Sequence, residues 1–304
     1  MRVFRHLPPL SHPPCALTIG NFDGMHLGHQ ALLKALTSRA QTMQVDSAVL
    51  IFEPQPREFF SPQQTPVRLS NLREKLEQFA AYDIARVYVC AFNRRFANIS
   101  AANFLTDIVQ GALQAQVVLV GEDFRFGAGR QGTVADFAHV GLLVKQPQVN
   151  IDEHRVSSTR VRAALLLGDL GTATTLLGRP YSMSGRVVRG AGLGRELGYA
   201  TANIQIHHLR TALQGVFVVR LNGMPAVANL GMRPTLGGAG KLMLEVHVLN
   251  FTHTLYGEHV RVEFLAKLRD ECHFENLTAL RLAIASDVVA AQHFFDNQPV
   301  SSPA

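Results

Sequence analysis

The apolar positions of this chain follow two different rhythms. The first half holds four short continuous apolar runs: ALTIG (16–20), AVLIF (48–52), RVYVCAF (86–92) and VVLVG (117–121). Runs without alternation predict strands buried on both faces. Between them the apolar residues recur at helical spacing. HQALLKALTSRA sets Leu32, Leu33 and Leu36 on one face, and NLREKLEQFAAY sets Leu72, Leu76 and Phe79 on another. ISAANFLTDIVQ opens with Ser100 as a candidate helix cap, and two short helices are predicted over 159–167 and 171–177. Strand and helix in alternation predict a parallel, doubly wound α/β sheet.

From Met183 the texture is that of antiparallel strands. GVFVVRLNGMPAVANLG places the pair Asn222-Gly223 between two β-rich runs, a hairpin signal. LMLEVHVLNF and HVRVEFLAKL are two further candidate strands, and a final helix is predicted from Asn276 to Phe295. The second half therefore reads as a small antiparallel β-barrel closed by a helix. The expected domains are 1–182 and 183–304, and the tail QPVSSPA is expected to be disordered.

Composition narrows the function classes. No run approaches the roughly 18 apolar residues of a membrane helix, and the N-terminus lacks the apolar core of a signal peptide, so no membrane is expected. The 3 cysteines, Cys15, Cys90 and Cys272, form no CxxC pair, which argues against a cysteine zinc site or a disulfide framework and for a cytoplasmic location. The net charge of +6 favours anionic partners. The basic residues are scattered and Trp is absent, so nucleotide phosphates fit better than nucleic acid. No feature names a protein partner.

The candidate chemistry begins at NFDGMHLGHQ (21–30), directly after the first strand. Ligands of doubly wound sheets bind at the carboxyl ends of strands. Gly20, Gly24 and Gly28 let the backbone approach a ligand closely, and the following helix offers free N–H groups. His26 and His29, three apart, add two imidazoles. They read as phosphate-gripping donors, as structural helix caps, or as a metal pair that lacks the HExxH pattern.

GNFDGMHLGH resembles the G-x-F-D-G-x-H-x-G-H signature of the nucleotidyltransferase superfamily, whose members carry HxGH on a Rossmann-like sheet. That superfamily's ISSTxxR-type motif is matched here by VSSTRVR (156–162). The resemblance implies His26, His29 and Arg162 as catalytic residues. It assigns Gly20, Asn21, Phe22, Asp23, Gly28, Ser157, Ser158 and Thr159 to the nucleotide. Ser157, Ser158 and Thr159 would offer hydroxyls at a helix start, and Arg162 a fork for phosphate oxygens.

A second glycine-rich segment, GRVVRGAGLGRELGYATANI (185–204), carries Gly190, Gly192 and Gly194. Gly198 breaks any following helix, so a flap over a nucleotide fits better than a dinucleotide fingerprint. Thr201 and Asn203 are hard oxygen ligands two apart, suited to Mg²⁺ beside phosphates. Glu245, among apolar neighbours in LMLEVHVLN, reads either as an exposed-face residue or as a general base on a strand.

GRELGYATANI, ANLGMRPTLGG and LEVHVLNF resemble elements of the riboflavin kinases. One departure is Ala200, where that family usually has proline. The motif order over roughly residues 15 to 290 is similar to that of the bacterial bifunctional riboflavin kinase/FMN adenylyltransferase (FAD synthetase) family. The resemblance implies that riboflavin is phosphorylated by MgATP to FMN, with Glu245 as base, Thr201 and Asn203 on Mg²⁺, and Gly190, Gly194 and Arg195 at the nucleotide. FMN would then be adenylylated by ATP to FAD. FEPQPREFFSP and VGEDFRFGAGRQG resemble flavin-side loops, implying Phe52, Pro54, Pro56 and Asp123 as flavin-binding. Two rivals stand beside this reading: HxGH transfer to a different acceptor, and a basic nucleic-acid binder with steep salt dependence.

Overall fold

Each of the four apolar runs forms a strand. β1 (Arg2–Phe4), β2 (Cys15–Ile19), β3 (Asp46–Glu53), β4 (Arg86–Ala91), β5 (Ala115–Val120) and β6 (Leu143–Lys145) make one sheet in the order β1-β4-β3-β2-β5-β6. Every pairing in it is parallel. The two short edge strands, β1 and β6, have no counterpart in the apolar runs. The computed structural model describes residues 1–8, 12–145, 148–190, 193–207, 210–235 and 238–297. Gly192 and the tail QPVSSPA lie outside them.

Alternate strand residues feed two separate cores, which explains the continuous runs. Ala16, Val49, Ile51, Val87, Val89, Val117 and Leu119 pack with Leu32, Leu33 and Leu36 of helix α1 (Leu27–Met43) and Phe79 of α2 (Leu72–Ala81). Leu17, Leu50, Tyr88 and Val118 pack on the other face with Phe104, Leu105 and Ile108. Those three belong to a helical segment capped by Ser100, whose hydroxyl accepts from the Asn103 N–H at 3.1 Å. The segment continues in wider turns, seen in the five-residue bond from Leu113 N–H to the Ile108 carbonyl.

β2 lies between β3 and β5, which continue the chain on opposite sides of it. Its carboxyl end is therefore the topological switch point, where doubly wound sheets hold their ligands. NFDGMHLGH begins there.

The second unit is a closed antiparallel barrel. Its strands are β7 (Tyr181–Val188), β8 (Ala202–Ile206), β9 (Gly215–Leu221), β10 (Met224–Thr235), β11 (Gly238–Val248) and β12 (His259–Arg269), in the order β7-β8-β11-β10-β9-β12. Asn222 and Gly223 sit between β9 and β10 with φ of 48° and 85°, the left-handed pair that a two-residue hairpin requires. Phe217 meets Phe264 edge-on at 5.4 Å in the interior. Val216, Val218 and Val227 face outward against Ala291 of the closing helix α5 (Leu277–Asp296), capped by Asn276. Arg269 of β12 holds Asp287 of α5 through two nitrogens, at 3.1 Å and 2.8 Å.

By packing, the chain separates into Met1–Pro66 with Leu72–Ser157, and Val67–Asn71 with Ser158 onward. Helices α3 (Ser158–Leu166) and α4 (Leu170–Leu177) thus go with the barrel, ahead of the boundary expected near 182. The α4 helix packs on β7 and β12. Arg162 donates from Nε to the Val67 carbonyl at 2.6 Å, and the Tyr181 hydroxyl to Leu69 at 3.1 Å. Nothing in the apolar period reports such tertiary ties.

Candidate functional sites

The loop from β2 to α1 is built around two buried side chains. Phe22 and Met25 take left-handed backbone conformations, φ 47° and 48°, with Gly24 at 78° between them. Side chains are costly in that region. Burial of both, with Phe22 edge-on to Phe79 at 5.3 Å and 5.1 Å from the His29 ring, holds the turn in place.

His26 caps α1. Its Nδ1 accepts from the His29 N–H at 3.4 Å, which assigns the Nε2–H tautomer. The rings of His26 and His29 stack, 3.7 Å between centroids and 18° between planes. A Cβ on Gly28 would stand 3.2 Å from the His26 ring atoms, so glycine is what lets the ring lie back over the helix start. The same position lies 3.7 Å from the carbonyl of Val156, the residue that opens VSSTRVR. Within the first unit, Gly28 therefore lies beside the residue at which VSSTRVR begins.

Burial holds the His29 pKa well below the usual histidine range, and the charges of His26, Lys75 and Arg155 push it the same way. Its Nδ1 is buried with no hydrogen-bond partner among the described residues. Lys75 and Arg155, whose charges reach His29, lie outside the matched motifs. Lys75 is only 2% exposed. Its signal is in the sequence: it interrupts the apolar stripe of α2 between Leu72 and Phe79.

Asp23 is buried within the turn and Asn21 is exposed. Ser157 is partly buried in the first unit. Ser158, Thr159 and Arg162 lie in α3 of the second.

Phe52 lies among aromatic rings, 5.3 Å from Phe96 and 5.7 Å from Phe92. Phe92 also touches Phe59 and Phe60 of the short helix Pro56–Phe60. Pro54 follows a cis bond to Glu53. Phe60, 64% exposed, leaves this aromatic wall open to solvent. Asp123 pairs with Arg155.

In the barrel unit, register explains the second constellation. Asn203 of β8 is opposite Glu245 of β11, and Glu245 is opposite Asn229 of β10. The three form one row across neighbouring strands, lining a cavity of about 540 Å³ with Thr201, Tyr199, Gly194 and His247. Asn229 belongs to this row although spacing alone did not single it out. Asn203 is buried and its Oδ1 has no hydrogen-bond partner among the described residues. Gly190 gives it room: a Cβ there would overlap the Asn203 amide. A smaller cavity of about 150 Å³, lined by Val187, Phe251 and Tyr256, shares Thr201 with the larger one. The glycine-rich segment does form one helical turn, Leu193–Glu196, which ends before Gly198. Arg195 lies in it; its side chain is outside the described set.

Residues 9–160 match the family model of FAD synthetase, and residues 177–295 that of riboflavin kinase. The bifunctional riboflavin kinase/FMN adenylyltransferase of Pseudomonas fluorescens is 44% identical over 301 residues, 96% of this chain and 96% of that protein. The enzyme of the same description from Escherichia coli K12 is 40% identical over 97% of this chain and 98% of its own length. The crystal structure of a macrolide-efflux protein from Streptococcus pneumoniae superimposes with a TM-score of 0.83 at 26% identity, covering 98% of this chain and 99% of that one. Among the described residues, no helix is long and apolar enough to cross a membrane.

Proposed function

The chain belongs to the bifunctional riboflavin kinase/FMN adenylyltransferase family, and we propose how its residues divide the two reactions. It phosphorylates riboflavin to FMN with ATP, then adenylylates FMN to FAD with release of pyrophosphate. In functional terms 1–182 carries adenylyl transfer and 183–304 the kinase.

The kinase assignment rests on one observation above others: the unpartnered, buried Asn203 Oδ1 in register with Glu245 at the cavity wall. Glu245 accepts the proton of the terminal ribityl hydroxyl as that oxygen attacks the γ-phosphorus of ATP, whose bond to the bridging oxygen breaks to release ADP. Thr201 and Asn203 offer a hydroxyl and an amide oxygen, a donor set that fits Mg²⁺. When bound, the ion would neutralise charge on the phosphates. Gly190, Gly194 and Arg195 border the nucleotide. Thr201 lines both cavities, so the phosphate chain crosses from the smaller, which takes the base, to the larger, which takes the flavin.

In adenylyl transfer an FMN phosphate oxygen attacks the α-phosphorus and pyrophosphate leaves. The α1 N-terminus and the stacked His26 and His29 stabilise the charge that develops there. Gly20, Asn21, Phe22, Asp23, Gly28 and Ser157 shape the nucleotide side. Phe52, Pro54, Pro56 and Asp123 take the flavin, with Asp123 paired to Arg155. Ser158, Thr159 and Arg162 join the phosphate contacts on the strength of the VSSTRVR resemblance.

The thiols of Cys15 and Cys90 are buried and pushed up to about 12 by desolvation, as suits unreactive cysteines in a reducing cytoplasm. Small molecules, not nucleic acid or membrane, are the partners. Incubation with riboflavin, ATP and Mg²⁺, followed by chromatography, should give FMN and FAD. Glu245→Gln should leave FAD formation from added FMN intact while abolishing FMN formation. Unchanged kinase turnover in that variant would refute the base.

A further inference from the structure

The strand that carries Glu245 also carries His247, two residues on and therefore on the same face. Val246 and Val248 between and beyond them are buried on the other face. The ladder between β8 and β11 ends at Ala202, which pairs with Val246. Continued by one residue, the register would set His247 opposite Thr201. No rung forms there. Instead the His247 Nδ1 lies 2.9 Å from the Ala200 carbonyl oxygen.

A carbonyl only accepts, so Nδ1 must carry the proton. The His247 ring stands edge-on to Tyr199, 5.5 Å between centroids and 86° between planes. Tyr199 in turn donates its N–H to the Gly194 carbonyl at 2.7 Å, closing the segment 194–199 on itself. The loop that delivers Thr201 is thus fastened at two points. One is its own backbone; the other is a side chain of the strand bearing the base.

We propose that His247 is a positioning residue of the kinase, a latch that holds the segment 199–203 so that Thr201 and Asn203 meet the phosphates at a fixed distance from Glu245. Ala200 leaves the backbone free to rotate, and fixing one residue's backbone carries an entropic cost. The latch meets that cost before the nucleotide arrives, and so acts on nucleotide affinity. The inference rests on Thr201 and Asn203 being the phosphate-side residues.

The test uses the full chain, with adenylyl transfer as the check on folding. His247→Ala should raise the KM for MgATP by about three- to tenfold, the size of one hydrogen bond. Adenylyl transfer should hold. Without any nucleotide or metal, amide hydrogen exchange in 199–203 should quicken by a similar factor. His247→Asn, whose amide nitrogen can stand near the place of Nδ1, should restore both. Unchanged exchange in His247→Ala, or an unchanged KM for MgATP, would overturn the latch. Thr201→Ala separates the premises: if it leaves the KM for MgATP alone, the phosphate-side reading falls, while hydrogen exchange still judges the latch.

Discussion

His26 and His29 lie ring upon ring at 3.7 Å, and the first of them caps the helix that carries the second. Two imidazoles this close cannot both be charged without strong repulsion. Lys75 and Arg155 add positive charge to the same place. Lys75 and Arg155 therefore bring positive charge to the helix start, and His29 is held towards its neutral form.

This arrangement sets a pH dependence. The folded-state pKa of His29 is depressed, so between it and the unfolded value of about 6.5 the unfolded chain binds more protons. Stability is full above about pH 6.5 and falls as the pH drops towards the depressed value. Thermal unfolding followed against pH should show this loss, and His29→Asn should flatten it.

Lys75→Met removes one of the like charges. The acid limb of kcat/KM for adenylyl transfer should then move to higher pH, while the kinase profile stays in place. An unmoved limb would mean that Lys75 acts only in packing.

Gly28→Ala should separate stability from activity. Alanine suits a helix better than glycine by about 1 kcal/mol, and Gly28 has no left-handed backbone to protect. Its Cβ would press on the His26 ring at 3.2 Å. The melting temperature should hold or rise while adenylyl transfer falls roughly tenfold.

Asp287→Ala strips the two-nitrogen partner from Arg269. Asp287 is buried and Arg269 partly so, which reduces the cost of a fully buried pair to roughly 2–3 kcal/mol. Denaturant unfolding should show the loss in the barrel unit.

Much of this was legible in the residues. The four apolar runs mark the buried strands, Asn222-Gly223 marks the hairpin, and Ser100 and Asn276 mark helix starts, because local chemistry decides each of them. The Asn203–Glu245–Asn229 row was not legible. It arises from the pairing of β8 with β11, strands separated by β9 and β10 in the chain, and closure of a barrel leaves no local signal. The packing of α3 and α4 with the barrel is tertiary in the same way. Lys75 could have been found, since a lysine inside an apolar stripe asks for a partner. His247 could not, because its role lies in a single carbonyl of a loop with no period.

Gly28 and Gly190 share a role: each leaves empty the volume that another residue's functional group fills, the His26 ring in one site and the Asn203 amide in the other. Neither glycine needs to touch a substrate. A saturation-mutagenesis map scored by FAD output would nonetheless rank both beside the histidines and Glu245. A survey that looks for reactive side chains would pass over the two positions whose contribution is to have none.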